Sequence, residues 1–214
     1  MTAPRLRDAR LYLVAPQRIR AGRLAELVPE LAAAGVDLVQ LREPKDAEGG
    51  DLVRAADPVA AACRAAGVPF VVNDRPDVAL AVAAGVHVGQ NDVSPEIARR
   101  IVGDAVVGIS THAPEEVDAA LRAPVDYLAV GPVFSTPTKP GRRATGVELL
   151  RHAAGRADRP WFAIGGIDAG NVGGVLDAGA RRVVVVRAIA DAADPVAAAA
   201  ALRGALDERP LDDV

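Results

Sequence analysis

The sequence predicts an α/β fold, a single (β/α)8 TIM barrel spanning residues 1–214. Three observations support it: eight short apolar runs, alanine-rich segments between them, and a recurring Ala-Gly step where those segments end. The runs, interpreted as strands, are Leu11–Ala15, Val36–Leu41, Phe70–Asn73, Val86–Gly89, Val106–Ile109, Tyr127–Val130, Trp161–Ile164 and Val183–Val186.

The segments between the runs have helical spacing. Leu24, Leu27 and Leu31 recur at three- and four-residue intervals, which places them on one helix face. Gly35 and Gly67 each follow an alanine at the end of such a segment, where glycine often takes the left-handed conformation that ends a helix. Because the runs are apolar throughout, we expect parallel strands buried on both faces, and closure into a barrel leaves no exposed edge. A doubly wound open sheet is the alternative architecture.

Composition narrows the class of protein. The formal net charge of −3 provides no basic surface for nucleic acid or an acidic membrane. No apolar stretch approaches the ~20 residues that span a bilayer. Cys63 is the only cysteine, so no internal disulfide can form, and we expect a cytoplasmic protein. The sequence leaves the number of subunits open, a homo-oligomer included.

Polar segments follow four consecutive predicted strands. In a TIM barrel the active site lies at the carboxyl ends of the strands. The four segments are Gln40-Leu41-Arg42, Asn73-Asp74, Gly89-Gln90-Asn91-Asp92 and Ser110-Thr111-His112. We therefore expect them to line one polar site.

Asp74 and Asp92 follow neighbouring strands, which lie ~5 Å apart in a sheet. Their carboxylates can reach one hard cation, and Mg²⁺ is the natural candidate because it takes one or two carboxylates and completes its shell with phosphate and water. Alternatively, both aspartates cap the helices that begin near Pro76 and Ser94-Pro95. Spacing alone does not choose between these interpretations.

Three further segments are typical of phosphate binding. Segment 131–143 contains hydroxyl groups, two arginines and Lys139, one of two lysines in the chain, although a solvated loop has a similar composition. Gly165-Gly166 follows strand 7 and Arg187 follows strand 8, the strand ends where TIM barrels often hold a phosphate. His112 is the best candidate for a site histidine, whereas His87 is either a packed core residue or part of the site.

Together these segments resemble the thiamine phosphate synthase family over most of the chain. The motifs that carry the resemblance are Gln40-Leu41-Arg42, Asn73-Asp74-Arg75, Gly85-Val86-His87-Val88-Gly89-Gln90 with Asp92, Gly108-Ile109-Ser110-Thr111-His112, Asp126-Tyr127, Gly131-Pro132-Val133-Phe134, Thr136-Pro137-Thr138-Lys139 and Ala163-Ile164-Gly165-Gly166-Ile167. Some are ordinary singly, but their combination and order are highly specific.

The resemblance implies a transferase that condenses 4-amino-2-methyl-5-(diphosphooxymethyl)pyrimidine with a thiazole phosphate, giving thiamine phosphate and pyrophosphate. It implies that Asp74 and Asp92 hold the Mg²⁺ cofactor. The residues expected to bind the pyrimidine diphosphate are Gln40, Arg42, Asn73, Ser110 and Lys139, of which Arg42, Ser110 and Lys139 are expected to be catalytic. Those expected to bind the thiazole phosphate are Thr136, Thr138, Gly166, Val186 and Arg187, the last two through the backbone.

In the mechanism that the resemblance implies, Mg²⁺-assisted departure of the diphosphate leaves a pyrimidine-methyl cation, which the thiazole nitrogen captures. Arg42 and Lys139 would help to neutralise the departing charge. The chain departs from the family pattern twice. Pro44 stands where a lysine is usual, with Lys45 one residue later, and Arg187 stands where serine is commoner.

Three alternatives remain at this stage. A thiazole tautomerase shares the fold and would use His112 as its acid or base, but it would not need a diphosphate site. A noncatalytic barrel that binds thiamine precursors as a regulator would bind without turnover. An isomerase of the phosphate-binding barrel type would leave the paired aspartates and the Thr136–Lys139 segment unexplained.

Overall fold

Eight parallel strands close into a barrel in sequence order in the computed structural model, which describes residues 4–16, 23–44, 46–135 and 144–211. The strands are β1 Leu11–Ala15, β2 Leu38–Leu41, β3 Phe70–Asn73, β4 Gly85–Val88, β5 Val107–Thr111, β6 Tyr127–Val130, β7 Trp161–Ile164 and β8 Val183–Val185. The ring closes where Leu11 of β1 lies opposite Val183 of β8. The predicted TIM barrel is confirmed, and the open sheet is excluded.

Helices alternate with the strands and cover the barrel. Within the described ranges they are α1 Pro4–Asp8, α2 Leu24–Ala33, α3 Gly49–Ala66, α4 Pro76–Ala81, α5 Pro95–Val102, α6 Pro114–Ala120, α7 Glu148–Ala154, α8 Val172–Asp177, α9 Arg187–Ala190 and α10 Pro195–Asp207. Helix α3 ends at Gly67 in the left-handed conformation, as the Ala-Gly step predicts. Leu24, Leu27 and Leu31 of α2 are buried, so the predicted apolar face is the face that packs on the sheet.

Several strand ends differ by a few residues from the prediction. Strand β5 continues through Ser110 and Thr111, because these residues pair with Ala129 and Val130 of β6. Strand β2 begins later than predicted, at Leu38, since the N–H of Val36 donates to the carbonyl of Leu31 at the end of α2. The extension of β5 places Ser110 in the sheet instead of the loop after it.

The inside of the barrel is filled by a core that is separate from the one under the helices. Tyr12, Tyr127 and Phe162 meet edge to face there, with ring centroids 5.5–5.7 Å apart. Such pairs contribute ~0.5–1.5 kcal/mol each beyond the burial of their surface. Gly108 makes room for the cluster, because a Cβ at this position would lie 2.1 Å from the Tyr127 ring.

The amino-terminal end of the barrel is closed by α1 and by hydrogen bonds from Arg10. Leu6 and Ala9 belong to the inner core. Next to them Arg10 is buried, and its guanidinium donates to the carbonyl oxygens of Leu206 and Arg209 near the end of α10. This end is therefore sealed, and the opposite end is the one that opens to solvent.

Candidate active site

A cavity of about 360 Å³ opens at the carboxyl end of the barrel. It contains seven of the residues that the sequence predicts for the substrates: Gln40, Arg42, Asn73, Ser110, Gly166, Val186 and Arg187. They come from β2, β3, β5 and the segments after β2, β7 and β8. The fold thus brings distant parts of the chain to one place, which we call the main cavity.

A second recess of about 210 Å³ lies beside the main cavity, and Asn73 lines both. Asp74, Asp92 and Glu43 line this recess, together with Pro44 and Arg75. We call it the carboxylate recess. The two aspartates that the sequence predicts as metal ligands are therefore brought to one recess, next to the cavity that holds the predicted diphosphate residues.

Neither aspartate is a helix cap. The N-cap of α4 is Arg75, and that of α5 is Ser94, whose hydroxyl accepts the N–H of Ile97 at 3.4 Å. The Asp92 carboxylate accepts the N–H of Gly89 at 2.8 Å, which fixes the turn after β4. The capping alternative is therefore wrong, and the metal interpretation stays a prediction.

Asp74 has an unusual backbone conformation. Its φ of 62° lies in the left-handed region, which is uncommon outside glycine, although aspartate tolerates it better than most residues. Its N–H donates to the His87 carbonyl at 2.8 Å, which ties the end of β3 to β4. Backbone strain of this kind concentrates at functional sites, where it holds a side chain in a required direction.

The donor set of the carboxylate recess fits Mg²⁺. It consists of hard carboxylate oxygens. No cluster of three His, Cys, Asp or Glu side chains with the geometry of a complete metal site occurs among the described residues. Mg²⁺ in proteins often takes one or two carboxylates and completes its shell with substrate phosphate and water.

A chain of hydrogen bonds crosses the buried base of the main cavity. The amide Nε2 of Gln40 donates to Tyr12 Oη, which lies 2.8 Å from Tyr127 Oη. His87 Nδ1 lies 2.9 Å from Tyr127 Oη, and His87 Nε2 lies 2.9 Å from Ser110 Oγ. We call this series, from Gln40 through Tyr12, Tyr127 and His87 to Ser110, the Gln40–Ser110 chain. It settles the question left open for His87, which is both buried and part of the cavity wall.

Burial controls the protonation of the two phenols. Desolvation raises the pKa of Tyr12, and it raises the pKa of Tyr127 well above its ordinary value, with the neighbouring Tyr12 adding to the effect. Both side chains are therefore neutral hydroxyls at physiological pH.

Two residues hold the end of β5 in place. Gln90, which follows β4, donates its side-chain N–H to the Ser110 carbonyl at 2.7 Å. His112 lines the main cavity, its Nδ1 donates to the Gly131 carbonyl, and its backbone N–H donates to Glu116 at 2.7 Å. The structure therefore places His112 at the main cavity, and its role in the site stays a prediction.

The segment after β6 is joined to the end of β7. The N–H of Val133 donates to the Ile164 carbonyl at 2.9 Å, and that of Phe134 donates to the Gly165 carbonyl at 3.0 Å. Gly166 has a φ of 66°, and a Cβ there would lie 2.9 Å from the Phe134 side chain. Glycine is required at this predicted phosphate position because of both the conformation and the close approach.

Three predicted site residues, and the lysine that follows Pro44, lie outside the described part of the chain. They are Lys45, Thr136, Thr138 and Lys139. The described chain reaches Ser135, which lies beside Gly166.

Sequence reasoning missed the role of Tyr12 and left Tyr127 as a motif residue only. Both are buried in the barrel and belong to the Gln40–Ser110 chain. The available signal was weak: the chain has only two tyrosines, and both occur in predicted strands. The sequence does not show which residues of β1 point into the barrel, because all of them are buried and the strand has no alternation of polar and apolar residues.

The comparisons with known proteins agree with this geometry. A family model described as thiamine monophosphate synthase matches residues 11–189. The chain belongs to the thiamine monophosphate synthase family. The thiamine-phosphate synthase of Acidothermus cellulolyticus is 55% identical over 199 residues, which cover 91% of this chain and 93% of the relative. That of Thermus thermophilus is 53% identical over 198 residues, or 91% and 95% of the two chains.

Solved structures support the same assignment. Thiamine phosphate pyrophosphorylase from Pyrococcus furiosus superposes with a TM-score of 0.85 at 32% identity, covering 95% of this chain and 98% of that one. A 3-hexulose-6-phosphate synthase gives a TM-score of 0.65 at 20% identity, covering 92% and 99% of the two chains, and shares the fold alone. The predicted family, and with it the thiamine-phosphate synthase activity and transferase class, are confirmed. No helix in the described ranges is long and apolar enough to cross a membrane.

Proposed function

We propose that this enzyme binds an aminopyrimidine diphosphate between the ends of β2, β3 and β5, and a thiazole phosphate near the ends of β7 and β8. Pyrophosphate leaves before the new bond forms. The observation that carries the proposal is the position of Asn73, which lines both the main cavity and the carboxylate recess. A diphosphate bound beside Asn73 is within reach of both compartments.

The pyrimidine ring is oriented by Gln40. This side chain is 3% exposed and one of its amide hydrogens is used by Tyr12. The amide oxygen and the second hydrogen remain for a ligand in the main cavity. An acceptor beside a donor complements the amino group and the adjacent ring nitrogen of an aminopyrimidine.

The diphosphate is bound by positive charge and hydrogen-bond donors at the same end. Arg42 supplies a guanidinium, which can bind two phosphate oxygens at once, Asn73 supplies an amide, and Ser110 supplies a hydroxyl. We assign Lys139 to the same group from the sequence. Mg²⁺ bound by Asp74 and Asp92 would supply further positive charge to the departing pyrophosphate.

The thiazole phosphate lies at the opposite wall of the main cavity. Gly166 offers backbone that a ligand can approach closely, and α9 begins at Arg187, where backbone N–H groups lack acceptors within the helix. Arg187 also lines the cavity and adds a guanidinium. Thr136 and Thr138 are assigned to this phosphate from the sequence.

The chemistry requires no protein nucleophile. The methylene carbon–oxygen bond breaks with its electron pair leaving on pyrophosphate, and the lone pair of the thiazole nitrogen then forms the new carbon–nitrogen bond. Atoms and charge balance without proton transfer at the reacting carbon. The protein accelerates the reaction by stabilising the leaving charge and by holding the thiazole nitrogen in line with the cation.

The setting of the enzyme is also a proposal. We assign it to the cytoplasm, because its one cysteine, Cys63, is buried and cannot form an internal disulfide. Burial raises the pKa of that thiol to about 12, so it is an unreactive core residue. We propose that its partners are small phosphorylated molecules and include neither nucleic acid nor a membrane. Whether the chain forms a homo-oligomer is a separate question, which a measurement of the molecular mass in solution answers.

The test is release of pyrophosphate from purified protein mixed with both substrates, with Mg²⁺ or with a chelator. We expect release that requires both substrates and the metal. Release of pyrophosphate without the thiazole phosphate at the full rate would contradict the coupled reaction. Conversion of the thiazole phosphate alone would identify a tautomerase that uses His112, and tight binding without release would identify the noncatalytic regulator.

A further inference from the structure

The Gln40–Ser110 chain connects two groups that the proposed function assigns to the same substrate. Gln40 contacts the pyrimidine ring, and Ser110 contacts the diphosphate. Between them lie only Tyr12, Tyr127 and His87, each hydrogen-bonded to the next. Four of the five side chains are at most 5% exposed, and Ser110 is 7% exposed. These hydrogen bonds are therefore largely shielded from competition by water.

The direction of the hydrogen bonds follows from the first member. An amide NH₂ group has hydrogens and no acceptor site, so Gln40 Nε2 can only donate to Tyr12. The phenol of Tyr12 then has one hydrogen of its own. Within the described part of the chain, its remaining partner is Tyr127 Oη, so that hydrogen goes to Tyr127.

The same reasoning continues to the far end. Tyr127 accepts from Tyr12 and directs its one hydrogen to His87 Nδ1. A ring nitrogen that accepts a hydrogen bond carries no hydrogen, so a neutral His87 carries its hydrogen on Nε2 and donates it to Ser110 Oγ. The hydroxyl hydrogen of Ser110 is then available to point into the main cavity, which Ser110 lines.

Ionisation of the phenols does not disturb this order. Burial raises the pKa of both Tyr12 and Tyr127, so each keeps its single hydrogen over the pH range in which enzymes work. Each phenol therefore transmits the direction set by its neighbour.

We propose that Tyr12, Tyr127 and His87 are positioning residues that fix the direction of the Gln40–Ser110 chain, so that Ser110 presents its hydroxyl hydrogen to the diphosphate. This role rests on the proposed function for the identity of the ligand. The order of the hydrogen bonds rests on the geometry alone. The same order presents the amide oxygen of Gln40 to the pyrimidine.

The opposite direction would impair the site at both ends. If the Gln40 amide were turned over, Tyr12 would donate to its oxygen, His87 would carry its hydrogen on Nδ1, and Ser110 would donate to His87 Nε2. The hydroxyl hydrogen of Ser110 would then be used within the protein. The position of the hydrogen on His87 therefore distinguishes the two directions.

The first experiment measures the tautomer of His87 by long-range ¹H–¹⁵N correlation in the ligand-free protein. The chain has three histidines, which makes assignment by single substitution practical. We expect His87 to carry hydrogen on Nε2 and not on Nδ1. His112 is an internal reference with hydrogen on Nδ1, because a carbonyl oxygen can only accept from it. Hydrogen on His87 Nδ1, alone or together with Nε2, would overturn the proposal.

The second experiment uses a matched pair of variants, Tyr127→Phe and Tyr12→Phe, which keep the rings of the aromatic cluster. Tyr127→Phe removes the donor to His87 Nδ1, so we expect its tautomers to mix. Tyr12→Phe keeps the Tyr127 hydroxyl but removes the hydrogen bond that sets its direction, so we expect partial mixing of the His87 tautomers, less than in Tyr127→Phe. A His87 tautomer that stays as in wild type in both variants would contradict the proposed role of the two phenols.

Turnover provides an independent measure of the role. We expect Tyr127→Phe to lower kcat roughly tenfold, the scale of one hydrogen bond to a charged group, with little change in KM for the thiazole phosphate. In a Ser110→Ala background the same substitution should have almost no further effect, because the hydroxyl that it positions is gone. Additive effects would indicate a purely structural role. Because the tautomer is measured without substrate, failure of the proposed function would leave that result unchanged.

Discussion

The two ends of the barrel use the same kinds of side chain in opposite ways. Asp37 precedes β2, where its carboxylate accepts the N–H groups of Arg10 and Leu11 at 2.7 and 3.0 Å and pairs with Arg203 at 3.1 Å. Asp74 and Asp92 follow β3 and β4 and line the carboxylate recess. An aspartate before a strand thus holds the fold together, whereas an aspartate after a strand faces a space that a ligand can fill.

Asp126 extends the comparison, because it belongs to Asp126-Tyr127, one of the motifs that carry the family resemblance. Its carboxylate accepts the N–H of Val107 at 2.7 Å and pairs with Arg99 at 2.6 Å. It therefore repeats the arrangement of Asp37 at the amino-terminal end of β6. The next residue, Tyr127, turns into the barrel and joins the Gln40–Ser110 chain. Position along the strand, more than residue type, separates the aspartates that hold the fold from those that line the carboxylate recess.

The largest expected effect is that of Asp92→Asn on turnover. An asparagine oxygen can still accept the N–H of Gly89, so the turn after β4 is preserved while the negative charge is lost. We expect kcat to fall about 100-fold or more, with the free energy of unfolding changed by less than about 0.5 kcal/mol. Pyrophosphate release and urea unfolding measure the two quantities.

Metal binding gives the same variant a second readout. Mn²⁺ can replace Mg²⁺, and binding removes the sharp spectrum of the free ion in electron paramagnetic resonance. In the presence of pyrophosphate, we expect Asp92→Asn to bind Mn²⁺ at least about tenfold more weakly than wild type. Unchanged Mn²⁺ affinity together with normal turnover would remove Asp92 from the metal site.

Asp37→Asn is the matched substitution at the amino-terminal end of the barrel. Its expected effect is smaller and falls on the free energy of unfolding instead of turnover. Asparagine has the same size as aspartate but no charge. The substitution therefore removes the ion pair with Arg203 and weakens the hydrogen bonds from the two backbone N–H groups of Arg10 and Leu11. We expect a loss of about 2 kcal/mol in the free energy of unfolding, with kcat within about twofold of wild type at a temperature where the variant is folded. A large loss of kcat in the folded variant would break the division of labour between the two ends.

The buried phenols beneath the active site predict a loss of stability in alkaline solution. Their pKa values are raised on folding above the ~10 of an unfolded tyrosine, so the folded state keeps protons that the unfolded state releases. This contribution is complete below about pH 10 and decreases as the pH rises further, by up to about 1.4 kcal/mol per pH unit for each phenol.

Urea unfolding followed by the fluorescence of Trp161, the only tryptophan, measures this dependence between about pH 9 and pH 11. Tyr12→Phe is expected to reduce the slope of stability against pH by about one third above pH 10, since Tyr127 and the buried thiol of Cys63 also keep their protons on folding. The same slope in wild type and variant would show that Tyr12 does not contribute.

The sequence predicted the barrel well because its signals are repeated. Eight apolar runs, each followed by a helical segment, leave few other arrangements. It also predicted that residues such as Gln40 and Asn73, which come at the ends of strands, lie together, and both line the main cavity.

The rest depended on contacts that leave little trace in one sequence. Whether Asp92 caps α5 was settled only when Ser94 was found at the cap. The inward direction of Tyr12 was hidden, because β1 is buried on both sides. Asp74 has a left-handed backbone and bonds to the end of β4, and no local pattern encodes either feature.

The smallest expected effect belongs to Arg187, which stands where serine is commoner in the family. Its side chain is largely exposed and lines the main cavity near the start of α9. If the backbone of α9 binds the thiazole phosphate, Arg187→Ser should raise KM for this substrate only about threefold to tenfold, the scale of one exposed charged contact, and should leave kcat unchanged. Arg182→Ser, which changes an arginine at the amino-terminal end of β8, is the matched control and should leave both constants unchanged. A hundredfold loss in Arg187→Ser would show that the guanidinium, and not the backbone, carries the binding of the phosphate.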